Sequence, residues 1–172
     1  MPLKQQDLLR ESQKYASLEK TANFGIALES IQHRKKAFLC HSHKDVDLVK
    51  GLVVSFREKN VDLYVDWLDT LMPETTNKET AKNLQQRIKQ ADMFLFLATR
   101  NSMSSRWCPW EIGYADGVGK VPHILPTIDK YSVTHGNEYL TLYPRIDLGI
   151  IENIQKNVFA IFAPGENKGI VL

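Results

Sequence analysis

A chain of 172 residues suits one domain able to bury a real core. Its 43% apolar and 24% charged content is ordinary for a globular protein, and a net charge of +2 with a pI near 8.5 gives no strong attraction to nucleic acid or membrane. No apolar run approaches bilayer-spanning length, the start Met1-Pro2-Leu3-Lys4-Gln5-Gln6-Asp7 has no signal-peptide core, and Cys40 and Cys108 make neither a disulfide framework nor a four-ligand zinc site. The expectation is a cytoplasmic, reducing location with no bound metal.

Residues 3–22 favour a helix, with Leu8, Tyr15, Leu18 and Ala22 as a thin apolar stripe that packs on the body or on a partner. His33-Arg34-Lys35-Lys36 then forms the solvated lip of a buried strand, Ala37-Phe38-Leu39-Cys40. After His41-Ser42-His43-Lys44-Asp45, the residues Val49, Leu52, Val53 and Phe56 mark one face of a helix that Asn60 stops. Residues 61–66 alternate as a strand. A loop from Trp67 to Asn77 contains Pro73, and Thr76 with Glu79 has capping-box spacing for the next helix, whose apolar face is Ala81, Leu84, Ile88 and Ala91. Met93-Phe94-Leu95-Phe96-Leu97-Ala98, apolar on both faces, reads as a central parallel strand.

Residues 99–105 read as a polar loop, and the Trp107-Cys108-Pro109-Trp110-Glu111 segment opens a helix ending near Gly117 or Gly119. Ile124, Leu125 and Ile128 belong to a further strand, a short helix is predicted over 138–143 before Pro144, and residues 157–162 make a last strand. Alternating strands and helices of these lengths imply an α/β fold. It is read as a three-layer sandwich with about five parallel strands and helices on both faces, plus an N-terminal helix.

Ligands of such sheets bind outside the carboxyl ends of the strands. That rule gathers His41 to Asp45, Asp66 to Asp69, residues 99–105 and the start of the Trp/Glu helix on one rim. Trp107 and Glu111, four residues apart, share a helix face and suit a planar, cationic or sugar-bearing ligand, with ordinary helix packing as the plain alternative for the Trp. His41 and His43 lack further ligands at metal spacing, and Ser42 lacks a nucleophile-elbow context. These three are read as lining a nucleotide, with helix N-capping as the alternative for Ser42 and Asp45. Asp66 and Asp69 could touch a ribose or be plain solvated carboxylates. Gly117-Val118-Gly119-Lys120 follows a helix and reads as a cap and turn, and Cys108 as packing.

Three of these segments resemble the TIR (Toll/interleukin receptor) domain family. Ala37 to Asp45 is similar to its first box, Asp66-Trp67-Leu68 to the entry of its long BB loop, and Ser104-Ser105-Arg106-Trp107-Cys108-Pro109-Trp110-Glu111 to its second box. The resemblance covers roughly residues 34–162 and implies a flavodoxin-like domain over 34–172 behind an N-terminal helical extension, 1–33. It also implies cleavage of NAD at the nicotinamide–ribose bond, with Glu111 as the catalytic residue. Trp107, His41, Ser42, His43, Asp66 and Trp67 would bind the substrate.

NAD is then a substrate, no cofactor is needed, and the product is ADP-ribose or a cyclic variant acting as a signal in antiphage defence. The implied partners are further copies of the domain and a downstream effector that reads the nucleotide. A non-catalytic TIR–TIR adaptor and a nucleoside deoxyribosyltransferase-like enzyme are the other readings. The loop from Trp67 to Asn77 departs from the family in having Pro73 but no Gly, and residues after 129 match no general motif of it.

Overall fold

A computed structural model describes residues 1–23, 34–69, 77–151 and 156–172. Within them lie β1 (Leu3–Lys4), α1 (Gln5–Ser12), α2 (Tyr15–Asn23), β2 (Lys35–Cys40), α3 (Val46–Arg57), β3 (Val61–Tyr64), α4 (Lys78–Gln90) and β4 (Met93–Ala98). They are followed by α5 (Arg100–Met103), α6 (Trp107–Gly117), β5 (Pro122–Ile128), β6 (Arg145–Ile151), β7 (Lys156–Phe162) and β8 (Gly169–Val171). Short 3₁₀ turns occupy His43–Asp45, Asp66–Leu68 and Glu138–Leu142.

The described strands form one sheet in the order β3-β2-β4-β5-β6-β7-β8, with β1 paired to β5. From β3 to β6 the pairing is parallel, and β7 and β8 are antiparallel additions. The first five strands of that order reproduce the flavodoxin-like sequence of doubly wound sheets. Its topological switch point lies between β2 and β4, where the chain leaves for opposite sides.

Strand periodicity explains the three layers. Along β2, Ala37 and Leu39 enter one core with α1 and α3, while Phe38 and Cys40 enter another with α4 and α6. Along β4, Met93, Leu95 and Leu97 follow the first pair, and Phe94, Phe96 and Ala98 the second. With successive side chains on opposite faces, a strand apolar at every position is stable only when covered on both.

Several expectations need correction. The fifth parallel strand is β6, at 145–151, while 157–162 runs antiparallel to it. Alternation of Ile146 and Leu148 with the polar Arg145 and Asp147 carried that strand. The interval 3–22 is a strand and two helices rather than one helix. Residue 33, the expected end of the N-terminal extension, lies outside the described residues, as does Thr76. The cap of α4 is Asn77, whose side chain accepts from Glu79 N and Thr80 N at 2.8 and 3.1 Å while Thr80 Oγ1 accepts from Asn77 N. Residues 99–105 are not all loop, because Thr99 and Ser102 cap the single turn of α5. Arg34 is not simply a solvated lip: its guanidinium bonds Asp62 at 3.2 Å. Helix α3 ends at Arg57, three residues before the expected stop, and Asn60 closes the turn that follows in the left-handed conformation (φ 60°).

The N-terminal segment is built into this body. Leu3 and Leu8 are buried in the first core, and β1 fills a fork between β5 and β6. It pairs with Thr127 and Ile128 on one side, and Leu148 N donates to Met1 O on the other. Helix α1 rides closely on α3 at Gly51, where a Cβ would stand 1.9 Å from the Leu8 carbonyl oxygen. Gly51→Ala should therefore lose about 1–3 kcal/mol of stability by forcing the helices apart. Gly113→Ala, in open space on α6, should be neutral or slightly stabilising. Urea unfolding of both variants measures the contrast, and equal midpoints would refute the close-approach argument.

Candidate active site

β2 delivers His41 and the following turn to the carboxyl edge of the sheet, and β3 delivers Asp66 and Trp67 beside them. His41 is buried, and its Nδ1 is 2.9 Å from the Leu39 carbonyl. Nδ1 therefore carries the proton and donates it, leaving Nε2 as a buried atom without a hydrogen bond, 3.5 Å from Asp66 Oδ1. Burial holds the His41 imidazole below the ordinary histidine range. His43 is exposed instead, and its Nε2 lies 2.8 Å from Asp66 Oδ2. That hydrogen bond raises the affinity of His43 for a proton.

Trp67 N donates to Asp66 Oδ1 at 2.8 Å, so the carboxylate is fixed from both oxygens. Burial pushes the Asp66 carboxyl up, but the His43 hydrogen bond, the field of the neighbouring histidine ring atoms and the Trp67 N–H outweigh it and leave the group below its usual range. The Trp67 ring meets His41 edge-on at 4.7 Å and His43 at 6.5 Å. Four of the residues singled out from sequence thus form one cluster.

Glu111 stands across the switch point on α6. Ser105 starts that helix, its Oγ accepting from Trp107 N and Cys108 N at 3.2 and 3.3 Å. At 100° per residue, Cys108, Ile112 and Ala115 face the sheet, Trp107, Trp110 and Tyr114 form a second, aromatic stripe, and Glu111 falls on the border between them. The carboxyl is buried at 7% exposure. Desolvation pushes its pKa to about 8; the nearby Cys40 thiol pulls it back, Cys108 and Asp66 push it further, and His43 counters them. In the free protein at neutral pH, Glu111 holds its proton. A buried acid displaced this far, within electrostatic reach of a histidine–carboxylate pair in a strand-end cleft, marks a candidate functional site.

Sequence reasoning missed the polar tie beneath this rim. Asp45, buried, accepts from Thr99 Oγ1 at 2.5 Å and from Asn101 Nδ2 at 2.6 Å, joining the end of β2 to the end of β4. Its side chain makes no cap hydrogen bond to α3, so the capping alternative for Asp45 fails. Ser102 Oγ adds a 2.6 Å bond to the Leu97 carbonyl. The available signal was positional: both ends of this tie follow strand ends at the switch point.

The other candidates divide. Ser42 is a local cap, accepting from Lys44 N at 3.3 Å. Asp69 accepts from Tyr64 Oη at 2.8 Å and Arg87 Nε at 2.9 Å, which ties the exit of β3 to α4. Trp107 is half-buried, packs against the second core and meets Trp110 edge-on at 5.3 Å. Cys108 is buried, with its Sγ 3.5 Å from the His41 carbonyl. Gly119 takes φ 75°, and Lys120 N and Gly119 N bond Ala115 O and Asp116 O, the Schellman pattern that closes α6. Leu71, Met72 and Pro73 of the expected contact loop lie outside the described residues.

A family model described as TIR domain matches residues 37–149. The chain is similar to the probable 3′ cyclic ADP-D-ribose synthase ThsB′ of Bacillus cereus (strain MSX-D12), 37% identical over 123 residues, which is 67% of this chain and 62% of that protein. It is also similar to the putative cyclic ADP-D-ribose synthase TIR2 of Cytobacillus dafuensis, 29% identical over 110 residues, 61% of this chain and 29% of that protein. It thus spans less than two thirds of either relative's length. No described helix is long and apolar enough to cross a membrane.

Burial of Glu111 has a measurable cost. Its folded pKa of about 8 lies above the ordinary 4.5, so the folded protein keeps a proton that the unfolded chain releases. Its contribution is fully present below pH 4.5 and is lost as the pH rises to about 8, at roughly 1.4 kcal/mol per pH unit. Glu111→Gln should flatten that fall and be more stable than the wild type near neutrality. Denaturant unfolding across this pH range is the measurement, and parallel curves for the two proteins would contradict the burial argument.

Proposed function

This chain belongs to the TIR domain family, and we propose that it cleaves NAD at the nicotinamide–ribose bond, releasing nicotinamide and leaving ADP-ribose or a cyclic form of it. The observation that carries the proposal is the buried carboxyl of Glu111 at the switch point, within electrostatic reach of the His43–Asp66 pair. The two relatives, each described as a probable or putative cyclic ADP-D-ribose synthase, agree with it.

Nicotinamide in NAD is a pyridinium and leaves as a neutral molecule, so no acid need protonate it. The transition state is instead a ribose carrying oxocarbenium charge, and a carboxylate in a water-poor setting stabilises such charge strongly. Glu111 supplies that carboxylate. It is neutral in the resting protein, and a bound cation favours its ionised form, because opposite charge at close range offsets the cost of burial. The negative charge therefore forms when the substrate that needs it is present.

His41, Ser42, His43, Asp66 and Trp67 line the nucleotide in this reading, and Trp107 walls the site on the helix side. Self-association through the loop between Trp67 and Asn77 completes the site. A downstream effector reads the product as a signal in antiphage defence.

Glu111→Gln should keep the fold and lower nicotinamide release by about 100-fold or more. Chromatography of the products from NAD, with circular dichroism as the control for folding, tests it. Near-wild-type release would remove Glu111 from the chemistry, and no release by the wild type would favour a binding module. In the active protein kcat/KM should rise with pH through about 8, as Glu111 ionises in the free enzyme. Specific activity should also rise with protein concentration. A flat rate in a sample that light scattering shows to be monomeric would remove assembly from the mechanism.

A further inference from the structure

The proposed reaction leaves one proton without a destination. When the glycosidic bond breaks, its electron pair goes to the pyridinium nitrogen and neutral nicotinamide departs. An incoming hydroxyl then bonds the ribose carbon, and its O–H proton must leave. The hydroxyl belongs to water in hydrolysis or to the substrate's other ribose in cyclisation. Glu111 is a poor acceptor, since taking the proton would neutralise the charge that stabilises the ribose cation.

His43 is built for the task. Asp66 Oδ2 lies 2.8 Å from its Nε2, so neutral His43 donates from Nε2 and keeps its lone pair on Nδ1. Asp66 cannot swing away, because Trp67 N holds its other oxygen at 2.8 Å. The His43 side chain is 73% exposed, open to an incoming hydroxyl and able to return its proton to solvent after each turnover. This is a base held by an orienter, the arrangement of a hydrolytic triad without its serine.

We propose that His43, oriented by Asp66, is the general base that takes the proton of the attacking hydroxyl onto Nδ1. The inference deepens the NAD-cleaving reading and rests on it. The proton passes from the hydroxyl to the imidazole and then to solvent, so each NAD consumed yields one nicotinamide, one ADP-ribosyl product and one proton. His43 faces Asp66 from the turn after β3, His41 from β2, and Glu111 and Cys108 from α6. Asp66 has the largest effect and stabilises the imidazolium once formed. Buried His41, stacked at 5.9 Å, stays neutral and does not compete for the proton.

The test compares the wild type with His43→Gln, His43→Gly and Asp66→Asn on NAD over a range of pH, following nicotinamide and nucleotide products together. His43→Gln should lower kcat by about 100-fold with a much smaller change in KM. Its rate should also lose one of the two deprotonations that shape the acid limb of the wild type. Asp66→Asn should move the remaining histidine limb to lower pH. Added imidazole should restore much of the rate of His43→Gly, an effect that a purely structural histidine would not show. If His43→Gln keeps the wild-type rate and pH profile while the wild type releases nicotinamide, the base is elsewhere and only this inference fails. If the wild type releases none, the functional reading fails and takes this inference with it.

Discussion

The carboxyl group of Glu111 is buried where the sheet divides, and the surrounding structure exists in a form that makes this tolerable. An acid placed among Cys40, Cys108 and the second core gains nothing from the hydrophobic effect and holds a proton against its ordinary chemistry. The cost is offset elsewhere in the fold. β2 and β4 bury side chains on both faces, and Phe38, Phe94 and Phe96 are within 1% of complete burial. Apolar burial of this kind stabilises by roughly 1.5–3 kcal/mol per large side chain. Helix α6 shows the compromise most clearly, since a helix serving only the core would not carry a carboxylate on the edge of its sheet-facing side.

The switch point also needs its two strand ends held in register, and hydrophobic packing alone does this poorly because it has no direction. The Asp45 carboxylate supplies the direction, bonded to Thr99 and Asn101 across the gap between the β2 and β4 exits. With both oxygens bonded by neutral donors, the buried charge is satisfied without a cation competing for the site. The N-terminal segment adds a second brace. Leu8 packs into the core under α3, and Tyr15 and Ala16 of α2 border a cavity of about 250 Å³ shared with Trp67 and Leu68. Trp67, the aromatic wall of the histidine cluster, packs against the same core as Leu8, a residue distant in sequence.

What could be read from sequence follows from how local each cause is. The alternation along β4, the i, i+3, i+4, i+7 face of α3 and the left-handed Asn60 are written within a few residues of one another, and each element is where those signals put it. The rim rule then brings His41, His43, Asp66 and Trp67 together, because the ends of parallel strands converge whatever the loops contain. The Asp45–Thr99 tie was not legible, since its partners are 54 positions apart and an Asp before a helix has a simpler local use as a cap. The direction of β7 was hidden for a similar reason. An apolar run states that a strand is buried, whereas its sense depends on the connection that precedes it. Trp107 sits one turn from Glu111 as its spacing indicated, and spacing alone did not show that its ring also meets Trp110 and the second core.

The proposed chemistry would rest on two ionisable groups whose surroundings push them in complementary directions. Glu111 is sealed from water and stays neutral until a cation arrives, while His43 is open to water and gains proton affinity from Asp66. Such separation of roles by environment is how one site runs charge stabilisation and proton removal at the same pH. Neither role could be exchanged. An exposed Glu111 would be ionised at all times and screened by solvent, losing much of its effect on a developing cation. A buried His43 would resemble His41, held neutral by desolvation and unable to release a proton to solvent. The two histidines, two residues apart, differ in setting because His41 continues the buried end of β2, whereas His43 opens the 3₁₀ turn that follows and stands in solvent.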